Sequence, residues 1–380
     1  MIPVSLGMLP LLALASAFGA GASEPVPAAG ARPASETRPP VTAARAGRTP
    51  VPGSRKAAVP GVTRILVGTP TKVTSAAPPP PPVRANPFGV MLASQIVNQP
   101  NGIDFVKQFG VASYRPPQAV ALNAGDGSCP SCNEARKAGL KLLLNVKNTG
   151  GVVASRPPDD LQRYVQQVGD VIDRYQPDVL VVENEENSTI FYTGTPEQYG
   201  AELKAGCEVA HSRGIRCANG GLVSTLVALL VWDEYDGSGQ ADRARSFASR
   251  AFDARERELL GSPQARAQIE KGKALLAAYR TAGMDYVNFH WYIGDTGALD
   301  EAVAYLRAQT GRTVITNEVG QFNDDPNQTR AVMAELVRLQ VPIVVWFGFS
   351  GPKARPLMDE QGNMLPTGEA FRQFTASSCR

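Results

Sequence analysis

Val179-Leu180-Val181-Val182-Glu183-Asn184-Glu185-Glu186-Asn187 is a run of four aliphatic residues that breaks abruptly into three acids and two amides. Continuous branched apolar residues, with no polar alternation, read as a short strand buried on both faces, as in a parallel sheet. A helical pattern precedes this strand. Pro158-Asp159-Asp160 opens it and it runs to about Arg174. Another follows from Thr195-Pro196-Glu197, with Pro in the first turn and an acid beside it, and reaches about Arg213 before a C-capping Gly214.

The same alternation extends in both directions. Phe88–Leu92, Val111–Tyr114, Lys141–Val146, Val179–Val182, Arg216–Asn219, Tyr286–Phe289, Thr313–Thr316 and Ile343–Phe347 are all short apolar runs. Helical patterns lie between them, including one from Pro326 to Leu339 and one that Gly283 closes. The segment 222–282 exceeds one helix. It predicts an extra helix, a loop around Asp236–Ser238 and a long charged stretch, Asp242–Arg280. Eight strands, each followed by a helix, predict an α/β fold of the (β/α)₈ TIM barrel type over residues 87–380. An open doubly wound sheet is the alternative. Its Gly-x-Gly-x-x-Gly fingerprint is missing after Phe88-Gly89-Val90.

The N-terminal part has a different composition. Residues 1–22 carry no ionisable side chain, and Leu-Pro-Leu-Leu-Ala-Leu-Ala at 9–15 leads to a small-x-small site at Ala20-Gly21-Ala22. This reads as a secretory signal peptide, with an uncleaved membrane tether as the alternative, since no Lys or Arg precedes the apolar run. Residues 23–86 hold nine Lys and Arg against two Asp and Glu and end in the proline run Pro78–Pro82. Such a composition buries too little apolar surface to offset chain entropy and predicts a disordered, Pro/Ala-rich linker. Its positive charge allows association with an anionic envelope. Residues 87–380 keep 29 of the 38 basic and 33 of the 35 acidic residues, so the folded part is mildly acidic. That argues against nucleic acid as a partner. The expected setting is secreted or periplasmic, as a monomer.

The five cysteines are Cys129, Cys132, Cys207, Cys217 and Cys379. In an exported chain disulfides are expected. Cys207 and Cys217 flank a helix end and the next strand and can pair. Cys129-Pro-Ser-Cys132 reads as a local structural bridge, or as a redox-active pair. Only two histidines exist, His211 and His290. A multi-histidine metal site is thereby disfavoured, and acid–base work falls to carboxylates. His211 lies on a helix of the outer ring and receives no role.

The groups at the strand ends carry the chemistry. The second strand ends in Ser113-Tyr114-Arg115, the fourth in Glu183-Asn184-Glu185-Glu186, and the sixth in His290-Trp291-Tyr292. The seventh ends in Asn317-Glu318-Val319-Gly320 and the eighth in Trp346-Phe347-Gly348. A carboxylate after Val and Ile is costly unless solvated, paired or functional.

These motifs resemble clan A of the retaining glycoside hydrolases, barrels whose catalytic carboxylates end strands four and seven. Asn184-Glu185 is similar to the clan's Asn-Glu acid/base motif, and Asn317-Glu318-Val319-Gly320 to its nucleophile motif. The Glu-Asn-Glu-x-Asn stretch resembles the xylosidase- and exopolysaccharide-hydrolase-like members more than the cellulase-like ones. Glu186 stands where the clan often has Pro. Three acids within four positions would raise one another's pKa.

The resemblance implies that Glu318 is the nucleophile, kept ionised by Arg115 and Tyr292, and that Glu185 is the acid/base. It also implies that Asn184 binds the sugar 2-hydroxyl and that His290 lies near the acid/base or the sugar. Trp346 would form the apolar floor and Trp291 would line an adjacent subsite. A β-linked oligo- or polysaccharide would be cut by retaining double displacement, with the carboxyls about 5–5.5 Å apart and no metal or organic cofactor. An inverting hydrolase or a transglycosylase on the same site is an alternative, and so is a non-catalytic carbohydrate-binding or envelope protein. Each residue also has a plainer reading: helix-terminal acids for Glu185 and Glu186, a barrel-mouth pair with Arg312 or another base for Glu318, a pair with a carboxylate for Arg115, core packing for Trp346 and a hydrogen-bonded core position for His290.

Overall fold

The computed structural model describes residues 86–123, 128–149, 153–351 and 354–378. The signal peptide, its alternative tether and the linker expected at 1–86 lie outside these residues, apart from Asn86, as does Cys379. In chain order the elements begin with β1 (Phe88–Met91), α1 (Ser94–Val97), α2 (Gly102–Lys107), β2 (Ser113–Tyr114), β3 (Val120–Ala121), α3 (Pro130–Lys137) and β4 (Lys141–Lys147). Next come α4 (Leu161–Tyr175), β5 (Val179–Val182), α5 (Pro196–Ser212), β6 (Arg216–Asn219), α6 (Ser224–Gly237), α7 (Ala241–Ala251), α8 (Ala254–Glu258) and α9 (Pro263–Thr281). The last are β7 (Tyr286–Trp291), α10 (Thr296–Thr310), β8 (Thr313–Val319), α11 (Pro326–Arg338), β9 (Val344–Phe347) and α12 (Pro366–Ser378).

All strand pairings are parallel. The ring runs β1, β2, β4, β5, β6, β7, β8, β9 and closes where β9 pairs with β1. The fold is the expected (β/α)₈ barrel. Its inner layer includes Met91, Leu143, Val179, Val181, Ala218, Ile315, Val345 and Phe347. A larger layer between strands and helices takes the alternate residues, such as Val90, Leu144, Leu180, Val182, Phe289 and Trp346. This two-sided burial is why the strands read as continuous apolar runs.

Local chemistry sets the ends of the elements. Asp160 caps α4 by accepting from the Gln162 and Arg163 N–H groups, and Thr195 and Gln198 form a reciprocal capping box at α5. The second strand starts two residues later than expected, at Ser113, and ends at Tyr114 as expected. Pro116-Pro117 supplies no N–H to a ladder, so pairing stops after the Arg115 N–H bond to the Val90 carbonyl at 3.4 Å. The chain returns as β3, which pairs with the far end of β4. The charged stretch Asp242–Arg280 is broken into three helices, where Asp253 caps α8 and Ser262-Pro263 opens α9. Strands β7 and β8 run further than expected, through His290 and Glu318, and their register shifts between Asn288 and His290.

The pairs Cys129–Cys132 and Cys207–Cys217 are both disulfides. No helix among the described residues is long and apolar enough to cross a membrane.

Candidate active site

The ends of β2, β5, β7 and β8 bring Arg115, Asn184, Glu185, His290, Tyr292 and Glu318 together at the C-terminal mouth of the barrel. Arg115 Nη1 donates to Glu318 Oε2 at 2.6 Å and to the Asn317 carbonyl at 3.0 Å. Its Nη2 donates to Asn184 Oδ1 at 2.8 Å. The Tyr292 hydroxyl donates to the other Glu318 oxygen at 2.8 Å. Opposite, His290 Nδ1 lies 2.9 Å from Glu185 Oε1 and 3.7 Å from Glu318 Oε1. One carboxylate oxygen from each glutamate and a ring nitrogen of His290 all fall within 4.8 Å of one another. That donor set resembles a cation site. However, both Glu318 oxygens already accept hydrogen bonds, and a cation would have to displace Arg115 or compete with its charge.

A ladder of amides fixes the histidine. Asn317 Nδ2 donates to Asn145 Oδ1 at 3.1 Å, and Asn317 Oδ1 accepts from Asn288 Nδ2 at 2.8 Å. The same oxygen faces His290 Nε2 at 3.0 Å, which assigns a proton to Nε2. A neutral ring therefore offers a lone pair on Nδ1, and the hydrogen in its contact with Glu185 comes from the carboxyl. Glu185 and His290 thus hold one proton between them. Glu185 Oε2 is buried and has no partner among the described residues.

The two glutamates are driven in opposite directions. Burial raises Glu185 above the ordinary carboxyl range, against the His290 hydrogen bond, and the Glu318 charge adds to the rise. Burial also acts to raise Glu318, but His290 and Arg115 outweigh it and bring its carboxyl below the usual value. His290 is raised; burial opposes this, and the charge of Glu318 and the bond to Glu185 prevail.

The backbone around the acid turn is unusual. Glu183 and Glu185 sit at φ 67° and 44°, a left-handed conformation that costs a β-carbon-bearing residue about 1–3 kcal/mol. Across from them, Gly221 takes φ 115°, and a Cβ there would lie 2.3 Å from His290 Nε2. Only glycine lets the β6 end approach the histidine so closely.

Two sequence expectations need correction. Trp346 does not face the carboxylates. It is fully buried in the outer layer with its ring against Phe371 of α12, 5.7 Å between centroids. Trp291 is likewise fully buried, beside Phe289 at 5.9 Å. The cause is pleat parity: Val345 and Phe347 point inward, so Trp346 points outward, and Asn288 and His290 do the same to Trp291. The inward aromatic groups are Phe347, tilted against Phe349 at 4.1 Å, and Tyr292, stacked on Phe322 at 5.2 Å. Glu186, the acid next to Glu185, turns away from the Glu185–Glu318 cluster. Its Oε1 accepts from Asn219 Nδ2 at 2.8 Å and from the Tyr279 hydroxyl. Burial raises its pKa, so it adds little charge beside Glu185.

Asn145, Asn288, Gly221, Phe322, Phe347 and Phe349 also belong to the site or its support, and none of them carries a functional expectation from sequence. Amides inside apolar strands, Asn145 and Asn288, were the readable signal, because a buried amide needs partners.

No family model matches the chain, and no curated protein matches it. Among solved structures, the chain is similar to an exo-β-1,3-glucanase from Aureobasidium namibiae at 11% identity, covering 76% of this chain and 96% of that one with a TM-score of 0.46. An oligosaccharide-binding protein from Trichoderma gamsii matches at 11% identity over 78% and 96%, with a TM-score of 0.43. An endo-β-1,4-mannanase from Thermotoga petrophila matches at 11% identity over 78% and 77%, with a TM-score of 0.45. None of these three is a xylosidase, and the finer xylosidase-like expectation gains nothing from them.

Proposed function

We propose that the protein is an exported retaining glycoside hydrolase that cuts a β-linked oligo- or polysaccharide. The observation that carries this reading is the approach of Glu185 and Glu318, with carboxylate oxygens within 4.8 Å. Facing oxygens this close leave little room for an intervening water, which favours direct attack, with carboxyls about 5–5.5 Å apart, over inversion at about 6.5–9.5 Å. The opposed shifts in proton affinity supply one ionised and one protonated group.

In the first step a Glu318 oxygen attacks the anomeric carbon, the glycosidic C–O bond breaks, and the proton held by Glu185 passes to the leaving oxygen. In the second step Glu185, now a carboxylate, takes a proton from water. The water oxygen bonds to the anomeric carbon, and Glu318 leaves as carboxylate. Arg115 and Tyr292 stabilise the charge on Glu318 at start and finish, and Asn184 is placed to meet the sugar 2-hydroxyl. Inward Phe347, with half-buried Phe349 and Phe322, takes over the apolar contact first expected of Trp346 and Trp291. The two disulfides support export to an oxidising compartment.

Incubation with activated 2-fluoro glycosides, followed by peptide mass spectrometry, tests the reading. A covalent adduct on Glu318 is expected. Hydrolysis with inverted anomeric product, or an adduct on another carboxylate, would overturn the assignment. Sugar binding with no turnover of glucan, mannan or xylan oligomers would favour a binding protein.

A further inference from the structure

Behind the acid turn lies a second acidic centre that the proposed chemistry does not use. Glu183 and Glu202 of α5 are 1% and 0% exposed. Glu183 Oε1 accepts from the Asn148 N–H and from the Ser155 hydroxyl, both at 2.7 Å. Glu202 Oε2 accepts from the Tyr192 hydroxyl at 2.8 Å. Ser155 and Tyr192, the hydroxyls that hold the two carboxyls, are themselves paired in a parallel β-bridge, which brings Glu183 and Glu202 side by side as electrostatic neighbours. Glu202 Oε1 is nonetheless buried with no donor among the described residues. Two ionised carboxylates offer only acceptors, so their contact is repulsive unless one carries a proton.

We propose that Glu183 and Glu202 share a single proton, with Glu202 donating to Glu183, and that the pair is a positioning device for the acid/base turn. The inference rests on the hydrolase reading only for its effect on catalysis. The pair joins three segments. Asn148 and Ser155 belong to the loop after β4, and Glu183 ends β5. Ser155 N–H donates to the Phe191 carbonyl at 2.7 Å and the Ser155 carbonyl accepts from Thr193 N–H at 2.9 Å, which brings in the loop after β5. Glu183 is further held by its N–H to the Val146 carbonyl at 2.7 Å and by Asn145 Nδ2 on its own carbonyl at 3.0 Å. A residue at φ 67° stays there only if its surroundings over-determine it, and Glu185 follows two positions later at φ 44°.

The groups facing the pair are Lys147 of β4, Tyr164 of α4, Tyr192 of the loop after β5, and Tyr199 of α5. Glu186 acts on Tyr192, one of these groups. Lys147 is the cation among these, too little to stabilise two buried negative charges. Burial, the main cause, pushes Glu183 up to about 7 and Glu202 well above its ordinary value. Both folded-state values are raised. The stabilisation is therefore complete at low pH and is lost as pH rises: one proton leaves the pair near neutrality, and the proton the two carboxyls then share leaves only at higher pH.

The test uses the full chain with Glu202→Gln, whose amide N–H replaces the shared proton permanently. In a Glu318→Gln background, which the hydrolase reading makes inactive, melting temperature is followed from about pH 6 to about pH 9. The expected result is a smaller alkaline fall in the double variant than in its parent. In the active background, kcat/KM of Glu202→Gln stays within about threefold of wild type near pH 6 and declines less at alkaline pH. Infrared spectra of the wild type should show a protonated-carboxyl band at neutral pH that shrinks in Glu202→Gln. An identical alkaline fall, an unchanged band, or a Glu202→Gln protein that fails to fold would overturn the proposal. The melting and infrared readouts stand even if no substrate is found, so failure of the hydrolase reading is distinguishable.

Discussion

Arg115 Nη1 lies 2.6 Å from Glu318 Oε2, in an ion pair whose side chains are 7% and 6% exposed. A pair so buried is valuable only while intact, because removing one partner leaves an uncompensated charge worth about 3–5 kcal/mol. Arg115→Ala should therefore destabilise the fold and raise the pKa of Glu318, moving the acidic limb of kcat/KM upward. Glu318→Gln keeps the shape but not the nucleophile. It should lower kcat by about 10³-fold or more with little change in sugar affinity. Steady-state kinetics with calorimetric binding checks both, and a Glu318→Gln enzyme of near-normal rate would sink the nucleophile assignment.

The pH profile should be a broad bell. Glu318 must be ionised, and its lowered pKa puts the acidic limb below the usual carboxylate range. The proton shared by Glu185 and His290 must be present, and the raised values of both put the alkaline limb above that range. These limbs belong to the coupled group rather than to single residues. Glu185→Ala should flatten the alkaline limb and cost about 10²–10⁴-fold on oligosaccharides. The loss should be far smaller on aryl glycosides with good leaving groups, which need no proton. An alkaline limb that survives in Glu185→Ala would move the acid role elsewhere.

Most of the barrel could be read from sequence because parallel strands buried on both faces announce themselves as apolar runs. The carboxylates were readable because an acid that ends such a run has no bland place to go, and Glu185 and Glu318 do meet across the mouth. What stayed hidden depends on phase. Whether Trp346 faces the sugar or the helices turns on one residue of register, and β8 shifts its register against both neighbours. The role of Glu186 was hidden for a different reason. Its left-handed neighbour at φ 44° turns it toward Tyr279, a residue 93 positions away that no local pattern connects to it.

The correction at Trp346 yields opposed outcomes. Trp346→Phe removes outer-layer volume against Phe371 and should lower stability by about 1–3 kcal/mol while leaving KM unchanged. Phe349→Ala alters a half-buried inward ring. It should raise KM several-fold with a small change in melting temperature. Thermal melts and kinetics on both variants separate the two, and a KM effect confined to Trp346→Phe would restore the original floor.

The Cys207–Cys217 bridge joins the end of α5 to β6, with a sequence separation of 10. Closing a loop of that size removes chain entropy from the unfolded state worth about 2–3 kcal/mol. The same helix carries Glu202, and β6 carries Asn219, which holds Glu186. Cys207→Ala/Cys217→Ala should therefore lower the unfolding free energy by that amount, read as a lower denaturant midpoint. Because the bridge lies at the opposite end of β6 from the catalytic mouth, kcat/KM measured below the melting transition should be unchanged. A loss of activity in the folded double variant would show that the bridge sets the geometry of the mouth rather than the stability of the barrel.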